Sequence, residues 1–131
     1  MRNKTVITFG TFDVFHVGHL NILERARAFG DRLVVGVSSD EFSQRKKGRH
    51  PVFTVEERAR MLKALRCVDN VFIEHSLEEK RAYLVDHQAD ILVMGDDWNG
   101  RFNEFNDICE VVYLPRTPSI STTEVIEKIR R

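Results

Sequence analysis

Cysteine is scarce in this chain: there are two, Cys67 and Cys109, too far apart for a C-x-x-C pair. Neither a zinc site nor a redox motif is suggested, and both thiols read as small core residues in a reducing cytoplasm. Net charge is absent too, with 20 Lys and Arg balancing 20 Asp and Glu. The basic excess usual for nucleic-acid binders is missing, so no nucleic-acid partner is expected. No apolar run approaches the ~20 residues of a membrane span. Charged residues begin at Arg2, so neither a signal segment nor a membrane partner is expected. Three motifs are also missing. Without G-x-x-x-x-G-K-[ST] there is no P-loop, without G-x-G-x-x-G no dinucleotide fingerprint, and without G-x-S-x-G no hydrolase elbow.

What is present alternates. Apolar, strand-like runs at Val6–Phe9, Leu33–Val37, Asn70–Glu74, Ile91–Met94 and Val111–Leu114 are separated by helical patterns. The helices are expected at Leu20–Phe29, Val55–Arg66, Leu77–His87, a short one at Asn99–Asp107, and Thr122–Arg130. Thr54 with Glu57, Ser76 with Glu79, and Ser121 with Glu124 read as capping boxes. Gly30 suits the C-terminal cap of the first helix. The first, second and fourth strands are almost wholly apolar, as parallel strands covered on both faces are. The expectation is an α/β protein: one domain over residues 1–131, with a doubly wound, parallel, five-stranded sheet and helices on both faces. The longest connection is expected at Ser43–Phe53, a basic loop carrying Arg45, Lys46, Lys47 and Arg49.

Chemistry concentrates where strands hand over to helices, the ligand-binding edge of an open α/β sheet. After the first strand comes Gly10-Thr11-Phe12-Asp13, then His16-x-Gly18-His19 at the start of the first helix. Two imidazoles there can donate to phosphate oxygens without burying a fixed charge, and Gly18 lets backbone approach closely. The same residues read equally as helix-start histidines with turn and capping partners. After the last strand, Arg116-Thr117-Pro118-Ser119-Ile120-Ser121-Thr122-Thr123 sets hydroxyls and an arginine at another helix start, a second anion cradle or a plain N-cap. Asp96 and Asp97 follow the fourth strand and can accept from ribose hydroxyls or form an acidic turn, with Trp98 beside them. Lys46 and Lys47 can close over phosphates or stay solvated. On the helix after the loop, Val55, Ala59 and Leu62 mark the buried face, leaving Arg58 and Arg66 as basic candidates or as solvated side chains.

Gly10-Thr11-Phe12-Asp13 with His16-x-Gly18-His19, and Arg116-Thr117-x-x-Ile120-Ser121-Thr122-Thr123, resemble the two signatures of the cytidylyltransferase branch of the HxGH nucleotidyltransferases. The likeness runs almost end to end and includes Val93-Met94-Gly95-Asp96-Asp97-Trp98. The resemblance implies a Rossmann-like nucleotidyltransferase fold and a homodimer. It implies that His16 and His19 stabilise the transition state, with Lys46 and Arg116 neutralising charge. It assigns nucleotide contacts to Gly10, Thr11, Phe12, Asp13, Gly18, Asp96 or Asp97, Thr117, Ile120, Ser121 and Thr122. Arg66 and Asp69 would lie near the acceptor, with Lys47 as a further acceptor contact. This chain departs from the pattern at Val17 and Leu77, where tryptophan is usual, at Ser119, where glycine is usual, and in a basic loop one residue longer.

The expected partners are CTP, carrying Mg²⁺, and a small phosphorylated alcohol. The expected reaction is CTP with glycerol 3-phosphate, giving CDP-glycerol and pyrophosphate. A phosphate with a second pKa of about 6 is already a dianion near neutral pH and needs no general base. The rivals are another acceptor (phosphoethanolamine, phosphocholine, ribitol 5-phosphate or another sugar phosphate), adenylyl transfer, and a silent CTP-binding regulatory module.

Overall fold

A computed structural model describes residues 3–116 and 121–130. Five strands, β1 (Thr5–Gly10), β2 (Arg32–Ser38), β3 (Asn70–Glu74), β4 (Ile91–Gly95) and β5 (Glu110–Leu114), form one sheet in the order β3-β2-β1-β4-β5. Every pairing is parallel, with Val6 opposite Leu33 on one side and Ile91 on the other. The direction in which successive strands are added to the sheet reverses between β1 and β4. That crevice, at the carboxyl ends, is the topological switch point of a doubly wound sheet.

Period-two alternation divides the strands between two cores. Val6, Leu33, Val35 and Val93 face a cluster with Leu23 and Ala26 of α1 (Val17–Arg27) and Leu62 of α3 (Val55–Lys63). Ile7, Phe9, Val34, Leu92 and Met94 face the other, with Leu84 of α4 (Lys80–Asp86) and Phe105 of a 3₁₀ turn at Asn103–Asp107. Helices therefore cover both faces, as the unbroken apolar strands require. The cysteines are free thiols, Cys109 buried and Cys67 half-buried, and burial raises both pKa values. Among the described residues, no helix is long and apolar enough to cross a membrane.

Three expectations are corrected. The basic segment is not all loop: α2 (Asp40–Lys47) continues through Lys46 and Lys47, capped by the Ser39 side chain and ended by Gly48 at φ 75°. Only glycine takes that conformation freely, so the chain turns there rather than at Ser43. Gly30 does not cap α1, whose C-cap is Ala28 in ordinary helical conformation. Instead Gly30 passes close to β1, where an added Cβ would sit 2.8 Å from the Lys4 carbonyl. Arg58 is not solvated but 2% exposed, on the same stripe of α3 as Val55 and Leu62. Smaller shifts concern the 3₁₀ turns at Asp96–Trp98 and Asn103–Asp107 and the later start of α4, where Ser76 and Glu79 bond to each other one turn ahead of the helix.

Candidate active site

The turn after β1 is strained and tightly held. Phe12 and Val14 both sit at positive φ, 52° and 48°, a conformation costing about 1–3 kcal/mol for such residues and kept only where surroundings enforce it. Two clamps enforce it here. The Asp13 carboxylate accepts from the Val52 and Phe53 amides, at 2.7 and 3.0 Å. The Arg58 guanidinium donates to the carbonyls of Thr11 (2.9 Å), Ser38 (2.8 Å) and Phe53 (3.0 Å), and pairs with Asp40 at 2.7 Å. Arg58 therefore ties the carboxyl ends of β1 and β2 to the segment before α3.

His16 is the N-cap of α1. Its Nδ1 accepts from the Gly18 amide at 3.0 Å, and its own amide donates to His19 Nδ1 at 3.2 Å. A neutral imidazole whose Nδ1 accepts carries its proton on Nε2. Both rings are thus fixed as Nε2–H donors. They stack with centroids 3.9 Å apart, and Phe12 and Phe15 pack against His19. Burial, then the Arg116 charge, lowers the His16 pKa. Burial, then His16 and Lys47, pushes His19 down to about 3. Both rings are neutral at pH 7. The buried His16 Nε2 and Thr11 Oγ1 have no hydrogen-bond partner among the described residues.

The last helix, α5 (Thr122–Arg130), opens against the same turn. Thr122 Oγ1 donates to the Asp13 carbonyl at 3.0 Å and lies 3.5 Å from His19 Nε2. Ser121 accepts from the Glu124 amide at 3.1 Å. Arg25 of α1 donates to the Pro115 carbonyl beyond β5 at 3.0 Å. Two helix N-termini, each favouring anions, therefore share one cavity of about 340 Å³. Gly10, Thr11, Phe12, Asp13, His16, Gly18, His19, Asp97, Arg116, Ser121 and Thr122 line it, with Arg25, Lys47 and Arg49 adding positive charge. Among the described residues, no group of three or more His, Cys, Asp or Glu side chains is placed to hold a metal ion.

Several sequence candidates fall elsewhere. Asp96 is not on this wall; Asp97 is. Lys47 reaches the cavity, while Lys46 turns into a side recess and donates to Ser38 Oγ at 2.8 Å. Burial pushes Lys46 down to about 8, against the opposing pull of Glu74. Asp69 and Arg66 are not brought to the site. Asp69 accepts from the Leu33 amide and pairs with Arg27, at the amino end of β2. Exposed Arg66 lies in the turn that leads α3 to the amino end of β3. A crossover helix runs antiparallel to its strands, so its last turn reaches the edge opposite the cavity. Thr117 and Ile120 lie outside the described residues. Sequence reading missed Arg25 and the buried Glu74–Lys80 pair, and it named Arg58 without its buried role as a clamp. Arg58 and Lys80 were detectable, because each occupies a helical stripe otherwise filled by buried aliphatics, Val55 and Leu62 or Leu84.

Known proteins share this framework. A lipopolysaccharide core biosynthesis protein from Thermoplasma volcanium has the same fold, with a TM-score of 0.75 over 88% of this chain and 99% of its own, at 24% identity. The glycerol-3-phosphate cytidylyltransferase of Bacillus subtilis strain 168 is 50% identical over 128 residues, 96% of this chain and 97% of that protein. The enzyme of the same name from Staphylococcus aureus is 43% identical over 126 residues, 96% of this chain and 95% of its own. The model of the cytidylyltransferase-like family matches residues 7–128, from the middle of β1 to the last turns of α5, and this chain belongs to that family.

Proposed function

We propose that this chain transfers the cytidylyl group of CTP to glycerol 3-phosphate, giving CDP-glycerol and pyrophosphate. The observation that carries the reading is the pair of fixed, neutral Nε2–H donors on His16 and His19 in a cavity whose other walls are two helix N-termini and the charges of Arg116 and Lys47. The identity to glycerol-3-phosphate cytidylyltransferases over nearly the whole chain supports the choice of donor and acceptor.

The chemistry needs little beyond positioning and charge stabilisation. An oxygen of the acceptor phosphate attacks the α-phosphorus of CTP. The bond from that phosphorus to the oxygen bridging the α- and β-phosphates breaks in line, and pyrophosphate leaves with the electron pair. His16 and His19 donate to phosphate oxygens as charge builds, and their neutrality keeps them from acting as competing acids. Arg116, Lys47 and Lys46 neutralise the polyanion. Thr11, Ser121, Thr122 and the amides at the starts of α1 and α5 position the phosphates. Asp97, on the cavity wall, accepts from the nucleoside in this reading. Mg²⁺ enters as part of the substrate, bound to the triphosphate. The reading takes residues 1–131 as one catalytic domain working as a homodimer in the cytoplasm, where CTP is supplied.

Purified protein with CTP, Mg²⁺ and a panel of phosphorylated alcohols, with ATP as control, tests this by pyrophosphate release. Release with CTP and glycerol 3-phosphate is expected. Release only with ATP, only with another acceptor, or with none while CTP binds, overturns it.

A further inference from the structure

Two buried hydroxyls beside the main cavity bond to nothing among the described residues: Thr11 Oγ1 and Ser43 Oγ. Thr11 is 7% exposed and Ser43 1%. A buried hydroxyl left unpaired is costly, so two of them on facing elements ask for a common cause. Thr11 opens the turn after β1, and Ser43 lies in the middle of α2. A helical serine can turn its hydroxyl back onto the carbonyl four residues earlier. Ser43 does not, although its amide donates to the Ser39 carbonyl at 2.9 Å.

Both residues line one small pocket of about 10 Å³. A single water needs roughly 10–15 Å³, so phosphate or any organic group is too large. The neighbouring polar groups are already engaged. The Asp13 carboxylate accepts from the Val52 and Phe53 amides, and the Thr122 hydroxyl donates to the Asp13 carbonyl. Lys47, one helical turn after Ser43 on α2, lines the pocket as well. Two uncommitted hydroxyls, an ammonium donor and a carboxylate edge supply the two to four partners that a buried water takes. Thr11 and Lys47 also line the main cavity, and Ser43 does not.

We propose that this pocket binds one water molecule between Ser43 and Thr11, and that Ser43 is a positioning residue acting through it. The positioning role rests on the cytidylyl-transfer reading above; the water site stands apart from it. A hydroxyl has one proton to give and two lone pairs to accept with. Thr11 can direct its proton to a phosphate oxygen only where nothing behind it takes that proton. A water that accepts from Ser43 and Lys47 has both of its own protons to donate. One goes to Thr11, the other to a remaining lone pair of the Asp13 carboxylate. Every O–H of the chain Ser43–water–Thr11 then runs toward the anion, and each link polarises the next.

Crystals of the full chain without nucleotide test the site directly. Density for one water within about 3.0 Å of both Thr11 Oγ1 and Ser43 Oγ is expected. A dry pocket, a direct bond between the two hydroxyls, or Ser43 turned onto the Ser39 carbonyl overturns the proposal. Kinetics with CTP and glycerol 3-phosphate test the positioning role. Ser43→Ala keeps a good helix former. It should raise the KM for CTP about fivefold, the size of one neutral hydrogen bond, and leave the KM for glycerol 3-phosphate within twofold. Thr11→Val should raise the KM for CTP at least as much. In the Thr11→Val background, Ser43→Ala should add less than twofold, because both side chains act through one chain of hydrogen bonds. An unchanged KM in Ser43→Ala, or fully additive effects, overturns the positioning role. Absence of pyrophosphate release from the wild type with every acceptor overturns the parent reading and the positioning role with it, while the crystallographic water decides the site by itself.

Discussion

The imidazoles of His16 and His19 are stacked 3.9 Å apart and each uses Nδ1 to accept a backbone amide of the same turn. The capping hydrogen bonds that start α1 thus also set the tautomer of both rings. In the proposed reading, helix formation and phosphate recognition draw on opposite edges of the same side chains, so the candidate site is assembled by the fold itself.

That division can be separated by substitution. Asparagine is among the best N-cap residues but is too short to present a donor where His16 Nε2 lies. His16→Asn should therefore melt close to the wild type while kcat falls by about 10²–10³, the usual loss on removing one preorganised donor. His16→Gln reaches further and should recover part of the rate, but melt lower for want of a cap. Thermal melts and pyrophosphate-release rates on both variants decide it, and equal turnover in His16→Asn and wild type refutes the assignment.

Burial lowers Lys46 to about 8, and a lysine neutralises phosphate only while protonated. The kcat/KM profile, which reports the free enzyme, should fall with rising pH through a midpoint near 8. Lys46→Arg keeps its charge at any accessible pH and should abolish that limb. The acid side carries the opposite sign. His19 stays neutral in the fold until about pH 3, so rate should not rise or fall with imidazole titration near 6.5. Below 6.5 the unfolded chain takes up a proton that the native site refuses, so His19 withdraws stability progressively from pH 6.5 toward 3.

Periodicity made the architecture legible. Five apolar runs became five parallel strands within a residue at each end, because strands covered on both faces admit almost no polar residue. The cavity of the candidate site was legible for a related reason: Gly10 to His19 and Arg116 to Thr122 each join a strand end to a helix start, and residues of both segments line it. What failed was side-chain destiny on the helices. Arg58 was left as a basic candidate or a solvated side chain and Lys80 was not singled out, yet both are buried because their stripes face the sheet and partners wait there, Asp40 with three carbonyls for one and Glu74 for the other. Asp69 was assigned by likeness to a site at the other edge of the sheet, where its carboxylate holds the Leu33 amide.

Arg58 carries a large prediction for a residue that touches no substrate in this reading. Removing one partner of a buried charge pair typically costs about 3–5 kcal/mol. Arg58→Met strips donors from three carbonyls as well as from Asp40, so a destabilisation in that range is expected in urea melts. Adding Asp40→Asn should return only part of it, because the Thr11, Ser38 and Phe53 carbonyls stay unpaired. Full recovery in the double variant would show that the ion pair alone matters.

Asp13 lines the main cavity, yet its carboxylate accepts from the Val52 and Phe53 amides. A direct nucleotide contact and a scaffold role predict different things of Asp13→Asn. The amide can serve only one of the two backbone donors as acceptor, and a hydrogen bond to a charged group contributes about 1.5–3 kcal/mol. If the carboxylate is a clamp, segment 48–53 loosens, its cleavage by added protease quickens, and the KM for CTP rises with it as Arg49 and Lys47 lose their fixed wall. Saturating CTP should then restore protection, because bound triphosphate re-gathers the same groups. A raised KM with an unchanged cleavage rate would instead make Asp13 a ligand contact. The two short hydrogen bonds to the loop favour the clamp, and they account for how Phe12 and Val14 hold their positive φ.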